Sequence, residues 1–220
     1  MKRKRRYFIV LCIAAIILGI LLILASHSPN YLLFREQPRS SDCIIPLLGK
    51  EYLERKKEAY QLISEGYSNV LLIPPRYRLV KVTERMERVP IQVKEALSEL
   101  SINAYKVNPQ YYWHENTHIE LILAKEYMRA YGFDSAIIVS SPYHMRRVKL
   151  LTELVFPEEK YTITCVPDRY EHVHDPWWKS RKDVTWIAME YTKITWFLIY
   201  QRFSELLTAI KHFSAQILQG

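Results

Sequence analysis

The segment with the clearest potential for chemistry is an apolar stretch that ends in polar residues. It closes with Ser140 and Ser141, turns through a proline and a tyrosine, and continues with His144, Arg146 and Arg147. Hydroxyl and imidazole groups can hydrogen-bond a ligand or move a proton, and guanidinium groups match phosphate and carboxylate. A strand that only fills a core needs no such ending. The segment therefore predicts a binding site for an anion.

The position of this segment between a strand and a helix strengthens the prediction. In open α/β sheets, ligands bind beyond the carboxyl ends of the strands. A helix N-terminus attracts anions, so arginines placed there are unfavourable unless an anion lies nearby. Two alternatives remain open: Ser141 caps the following helix, or Arg147 faces solvent or pairs with a surface carboxylate.

A second candidate is the stretch His114-Glu115-Asn116-Thr117-His118, which matches the zinc-peptidase pattern H-E-x-x-H. That chemistry requires both histidines one turn apart on a helix, with the glutamate as general base. However, Thr117 and Glu120 also fit a capping box that begins a helix at this point. His114 and His118 would then lie on either side of the helix boundary. No metal is therefore predicted, and a zinc peptidase is kept as the alternative. Its third ligand would come from Glu126, His172 or His174.

Glycine-rich phosphate loops are absent from the sequence. It contains no G-x-S-x-G, no Walker loop and no G-x-G-x-x-G. Beyond residue 30, the glycines are Gly49, Gly66, Gly132 and Gly220. A phosphate would therefore be held by helix ends and arginines.

The elements that must position these residues alternate along the chain. Short apolar runs separated by helical stretches indicate βαβ units and a mainly parallel sheet, hence an α/β fold. The predicted strands are 43–48, 70–73, 102–107, 136–141 and 161–166. The predicted helices are 51–65, 83–99, 117–131, 146–155 and a long one from 183. Gly66 and Gly132 end two of these helices.

The N-terminal region predicts an uncleaved membrane anchor, with a cleaved signal peptide as the alternative. Residues 1–6 carry five consecutive Lys and Arg, and residues 7–26 are uncharged and apolar, a length that can cross a bilayer. The basic residues should stay in the cytoplasm, which places the rest of the chain on the other side. Residues 27–40 form the predicted linker and residues 41–220 the extracytoplasmic domain.

The charge balance gives no indication of nucleic-acid binding. Five of the 31 basic residues lie in the N-terminal run, which leaves 26 against 23 acidic residues. Nucleic-acid-binding domains carry a pronounced basic face. The predicted partners are instead the membrane and an anionic molecule.

The three cysteines are too few for a disulfide framework. Cys12 lies in the apolar run, whereas Cys43 and Cys165 lie in predicted strands. Two buried thiols are the favoured interpretation of the latter pair. A disulfide between them, which an oxidising compartment would permit, remains the alternative.

Four motifs occur in the order found in one known family. These are Leu48-Gly49, Arg55 on the following helix, Asn116-Thr117 with Glu120, and Val139-Ser140-Ser141-Pro142-Tyr143-His144-Met145-Arg146-Arg147-Val148. In this order the chain resembles the YdcF-like family of bacterial proteins, in particular its membrane-anchored SanA/ElyC-type members. The resemblance covers residues 42–190. Two departures stand out: the family's second glycine is Lys50 here, and Ile73-Pro74-Pro75 replaces its Ser-Gly-Gly.

The resemblance implies a Rossmann-like three-layer domain and a role in cell-envelope biogenesis or barrier function. For one soluble branch of the family it implies S-adenosylmethionine binding; the cofactor of this chain is left unknown. Residues and resemblance together give one site at the strand ends. Its predicted acid–base groups are His144 and Glu120. Its predicted ligand-binding residues are Gly49, Arg55, Asn116, Thr117, Ser140, Ser141 and Arg146.

The leading hypothesis is a membrane-anchored domain that binds an anionic phosphorylated metabolite or lipid-linked precursor. If the protein is an enzyme, His144 and Glu120 would process that molecule by acid–base chemistry. Arg55 and Arg146 would hold the anion. The third hypothesis, besides the zinc peptidase, is a non-catalytic scaffold. Its partners would meet the tryptophan-rich tail, residues 186–217. For Trp177 and Trp178, core packing of at least one is favoured, and a lid or a lipid-facing surface is the alternative.

Overall fold

The computed structural model describes residues 2–76, 78–100, 102–108, 111 and 113–219. Met1 and Gly220, the outer ends of the predicted tail and domain, lie outside this range. The described elements follow the chain as α1 (Lys2–Leu32), β1 (Cys43–Pro46), α2 (Tyr52–Ser64), β2 (Val70–Ile73), β3 (Arg78–Val82), β4 (Arg88–Ile91), α3 (Glu95–Ser98), α4 (Ile102–Val107), α5 (Asn116–Tyr131), β5 (Ser135–Ser140), α6 (Met145–Val155), β6 (Thr162–Pro167) and α7 (Arg181–Gln219).

The strands form one six-stranded sheet in the order β4-β3-β2-β1-β5-β6. The pairs β1–β2, β1–β5 and β5–β6 are parallel, whereas β2–β3 and β3–β4 are antiparallel. The α/β class and the mostly parallel sheet are therefore confirmed.

Helices cover both faces of the sheet, and successive residues of β1 point to opposite faces. Ile44 packs with Ala59 and Leu62 of α2 on one face. Cys43 and Ile45 point to the other face, where the cluster includes residues of α5, α6 and α7. Both domain cysteines are buried and free, and burial raises the pKa of each thiol.

Two sequence predictions were wrong between residues 78 and 107. Residues 83–99, predicted as one helix, contain the turn and second strand of the β3–β4 hairpin, followed by the short α3. Residues 102–107, predicted as a strand, form α4. Gly66 and Gly132 follow their helices with φ of 84° and 71° as predicted, because only glycine adopts this conformation without strain.

α1 is a single helix that continues through the first part of the predicted linker. Its segment Leu11–Leu32 is long and apolar enough to span a membrane. Its last turns dock on the domain. Leu32 is fully buried beside Tyr143, Ile187 and Ile194. Three of its carbonyl groups accept hydrogen bonds from domain side chains: Ser26 from Trp177 Nε1 at 3.2 Å, Ser28 from the Tyr191 hydroxyl at 2.5 Å, and Tyr31 from Arg146 Nε at 2.9 Å.

Candidate functional site

The candidate site lies where β1 and β5 end side by side. From β1 the chain passes through α2 to β2 on one side, and from β5 it passes through α6 to β6 on the other. The strand order therefore diverges between β1 and β5, which is where open α/β sheets place their ligand crevice. Leu47, Leu48 and Gly49 follow β1, and Ser141 follows β5. We call the space between these ends the β1–β5 crevice.

Arg55 of α2 bridges the β1–β5 crevice. Its side chain is almost fully buried, with 4% of the residue exposed. Nη1 donates to the carbonyl oxygens of Leu47 and Leu48 at 3.0 and 2.7 Å. Nε and Nη2 donate to Ser141 Oγ at 3.2 and 2.9 Å. The guanidinium thus joins the two strand ends through neutral oxygens.

Gly49 makes room for this guanidinium. A Cβ at position 49 would lie 2.9 Å from Arg55 Nη1 and 3.2 Å from Nη2, and the φ of Gly49 is +155°. Both the close approach and the backbone conformation favour glycine. The structure therefore brings together three predicted site residues, Gly49, Arg55 and Ser141.

Glu120 of α5 reaches the same strand end. It is 4% exposed, and its Oε1 accepts a hydrogen bond from the Leu48 backbone N–H at 2.9 Å. Burial raises the pKa of Glu120 to about 7, against the opposing effects of the Leu48 N–H and the Arg55 charge. The predicted capping box is wrong, because Glu120 turns away from its own helix end. α5 instead begins at Asn116, with Glu115 at the N-cap position.

Ser140, His144 and Arg147 form a hydrogen-bonded chain beside the crevice. His144 Nδ1 lies 2.8 Å from Ser140 Oγ, and Arg147 Nη2 contacts His144 Nε2. Because a guanidinium only donates, Nε2 accepts and Nδ1 donates its proton to Ser140. Burial and the charge of Arg147 hold the pKa of His144 well below its usual value. Both ring nitrogens are occupied, so the geometry does not favour the predicted acid–base role of His144.

Arg147, not Arg146, belongs to this cluster. Arg147 is 2% exposed. It forms ion pairs with Glu115 at 2.5 Å and with Glu190 at 2.8 Å. Arg146 points to the end of α1, where it donates to the Tyr31 carbonyl and lies 4.5 Å from the ring centroid of Phe34. The structure therefore separates Arg146 from the predicted anion site.

Asn116 and Thr117 occupy the first turn of α5 at the margin of the cluster. Asn116 is exposed and Thr117 is half-buried. Among the hydrogen bonds of the described residues, neither side chain joins Arg55 or Ser141. Their neighbour Glu115 reaches the cluster instead, through its ion pair with Arg147.

Asp168 and Glu171 follow β6 at the same edge of the sheet, and neither was among the predicted site residues. Asp168 comes directly after the strand, is 3% exposed, and donates its backbone N–H to the Ser140 carbonyl at 2.9 Å. Burial, assisted by the charge of Glu171, raises the pKa of Asp168 to about 6. The rule that identified Ser140 and Ser141, polar residues directly after an apolar strand, would also have found Asp168.

The His-Glu-Asn-Thr-His stretch forms an aromatic contact. His114 precedes α5 and His118 lies in it, as predicted, but their rings stack with centroids 4.1 Å apart. His118 Nδ1 lies 3.0 Å from the Tyr200 hydroxyl of α7. Burial and the neighbouring His114 lower the pKa of His118 to about 3. No group of three or more metal-binding side chains occurs among the described residues.

Comparison of the chain with protein-family models, with curated proteins and with solved structures gave no match. The chemistry available to the site therefore follows from its own residues. These are a buried guanidinium, a hydroxyl, and carboxylates of raised pKa at the ends of β1, β5 and β6.

Proposed function

We propose that this chain is a membrane-anchored α/β protein that binds an anionic small molecule, best a phosphorylated one, in the β1–β5 crevice. One observation carries the proposal: the Arg55 guanidinium is buried, yet its hydrogen bonds go to two carbonyls and one hydroxyl. Among the described residues it has no carboxylate within ion-pair distance. Buried charges are normally paired, so an anion would supply the missing partner.

The crevice also has donors left for that anion. A guanidinium has five N–H groups, and four of them are used in the bonds of Arg55. Ser141 Oγ accepts two of these bonds, which fills both of its lone pairs and leaves its own proton to donate elsewhere. A guanidinium N–H beside a hydroxyl is a common arrangement for binding phosphate oxygens.

Glu120 is the best candidate for an acid–base group if the bound molecule is processed. Its pKa of about 7 lies near neutral pH, where a carboxyl group can both accept and return a proton. His144 contributes to the site as a neutral ring that holds Ser140 and Arg147 in place.

We further propose that α1 spans a membrane with residues 2–6 on the cytoplasmic side. The support is the apolar length of Leu11–Leu32 and the basic run before it. A Rossmann-like arrangement and a role in the bacterial cell envelope, where a lipid-linked precursor is a further ligand candidate, rest on the YdcF-like resemblance. A reporter enzyme fused after residue 220 tests the orientation. If the reporter is an enzyme that is active only outside the cytoplasm, the fusion should be active, because the C-terminal end is expected on that side of the membrane.

Calorimetric titration tests the proposed ligand class, with the full chain in detergent micelles. Inorganic phosphate and glycerol 3-phosphate should bind to the native chain, and binding should be lost in Arg55→Met and weakened in Ser141→Ala. Arg85→Met, which removes an exposed arginine, should leave binding unchanged. A well-folded native chain that binds neither compound would refute the proposal.

Zinc and S-adenosylmethionine complete the panel, and zinc binding lost in His118→Ala would support the peptidase instead.

A further inference from the structure

Asp168 uses only one of its two carboxylate oxygens. Oδ1 accepts the backbone N–H groups of Tyr170 and Glu171 at 3.2 and 2.8 Å. Oδ2 is buried and has no hydrogen-bond partner among the described residues. A buried acceptor without a partner costs free energy, so such an oxygen in a native protein requires an explanation.

Glu171 repeats this pattern three residues later. Its side chain is 6% exposed, and Oε1 pairs with Lys182 Nζ at 3.1 Å. Its other oxygen, Oε2, is buried and likewise has no partner within the described part of the chain. Two neighbouring carboxylates therefore each keep one acceptor oxygen free.

Both carboxylates belong to the surroundings of Arg55. The backbone N–H of Asp168 is bonded to Ser140, whose neighbour Ser141 receives the guanidinium of Arg55. The charges of Asp168 and Glu171 both act on the pKa of Arg55, as do those of Glu51 and Glu120. Both carboxylates therefore lie within electrostatic range of the guanidinium assigned to the anion.

Among possible occupants, a ligand hydroxyl fits these oxygens best. No group of three or more metal-binding side chains occurs among the described residues, so a bound metal ion is not favoured. Hydroxyl groups donate to carboxylates and also accept from a protonated acid. Asp168, whose pKa is raised to about 6, exists partly in each form below neutral pH.

We infer that Asp168 and Glu171 form a hydroxyl-binding subsite beside the anion site, so that the ligand class is a sugar phosphate or another phosphorylated polyol. This inference rests on the proposed anion binding at Arg55. The anionic group would lie at Arg55 and Ser141, and the hydroxyl groups would donate to Asp168 Oδ2 and Glu171 Oε2.

Four probes separate the parts of this inference: inorganic phosphate, glucose 1-phosphate, phosphoethanolamine and glucose, each titrated into the full chain in micelles. Glucose 1-phosphate should bind at least about tenfold more tightly than phosphate, the gain expected from hydrogen bonds to charged acceptors. Asp168→Asn keeps the Oδ1 acceptor of the turn but replaces Oδ2 with a donor. It should abolish that preference without weakening phosphate binding, because it removes a negative charge near Arg55, and Glu171→Gln should do the same.

Asp175→Asn is the matched control, since it makes the same change at an exposed position of the same loop and should keep the preference. Equal affinity for phosphate and glucose 1-phosphate would overturn the subsite while leaving the anion site intact. Stronger binding of phosphoethanolamine than of glucose 1-phosphate would also overturn it, because the oxygens would then serve an amine. Absence of binding by all four probes would refute the anion site itself.

Discussion

Arg147 of α6 and Glu190 of α7 form a buried ion pair, in which Nε donates to Oε2 at 2.8 Å and Nη2 to Oε1 at 3.2 Å. The pair connects the helix that follows β5 to the long C-terminal helix. Because Arg147 also contacts His144 and Glu115, its side chain fixes the surroundings of the crevice without facing the proposed anion.

The two adjacent arginines should therefore behave differently on substitution. Arg147→Met removes one partner of a buried pair and should lower the free energy of unfolding by about 3–5 kcal/mol. Arg146→Met loses its bond to α1, a half-buried contact of small energetic contribution, and should keep phosphate affinity within about twofold because Arg146 points to α1 and away from the crevice. Chemical denaturation and calorimetry measure the two effects. Loss of phosphate affinity in a folded Arg146→Met chain would restore Arg146 to the site.

Removal of Arg55 should affect both stability and binding. Arg55→Met leaves the Leu47 and Leu48 carbonyls without their donors and should destabilise the domain by about 2–4 kcal/mol. Arg55→Lys restores the charge but not the planar set of donors, so it should recover only part of the stability and little of the affinity. Full recovery of phosphate affinity in the lysine variant would show that charge alone suffices.

Gly49→Ala tests whether the glycine serves the guanidinium. The added Cβ would come within 2.9 Å of Arg55 Nη1, so Arg55 must shift and phosphate affinity should fall at least about tenfold. Gly66→Ala is the matched control, because Gly66 also has positive φ but open space around it. It should cost about 1 kcal/mol of stability and leave affinity unchanged. Equal affinities of the two variants would contradict the assigned role.

The pKa of Glu120 makes stability depend on pH in a defined direction. A carboxyl group whose pKa is raised from 4.5 to about 7 in the folded protein contributes stability below pH 4.5 that is lost as pH rises through 7. Glu120→Gln removes this loss. Relative to the native chain, the variant should gain about 2–3 kcal/mol between pH 5 and pH 8. Denaturant titrations at both pH values measure the gain, and exposed Glu159→Gln is the control. A constant difference would exclude the raised pKa.

His118 should make stability depend on pH in the opposite direction. Its pKa falls from 6.5 to about 3 on folding, so its contribution to stability is present above pH 6.5 and is lost as pH falls toward 3. In ¹H–¹³C spectra the ring of His118 should show no titration above about pH 4. Tyr200→Phe, which removes the bond to Nδ1, should leave this behaviour largely intact because burial is its main cause. Titration of the ring near pH 6.5 would contradict the buried stack.

The sequence predicted the elements whose apolar residues face a core, and it was misled elsewhere. β1, α2, β2, α5, β5, α6 and β6 lie close to their predicted positions because burial imposes their periodicity. α4 has no buried residue among those described, so its apolar residues carried no information about a core. In the β3–β4 hairpin the turn residues are Glu, Arg and Met, which favour helices locally, and strand pairing with β2 overrides that preference.

The sequence indicated which residues lie together where position along the strands decides their location. Gly49, Arg55, Glu120 and Ser141 meet at the end of β1 and β5. The choice between Arg146 and Arg147 could have been made from helix geometry, since Arg147 lies three residues after His144 and shares its face. The partners Glu190 and Tyr200 could not be foreseen, because they come from α7 through contacts distant in sequence.

The docking of α1 has a mechanical consequence for the crevice. Leu32 rests on Tyr143, which lies between Ser141 and His144 in one tight turn. A change in the tilt of α1 would therefore displace this turn and alter the distance from Ser141 to Arg55. For a spanning helix, tilt responds to bilayer thickness. If α1 spans a membrane as proposed, affinity at the proposed anion site would then vary with the lipid composition around α1.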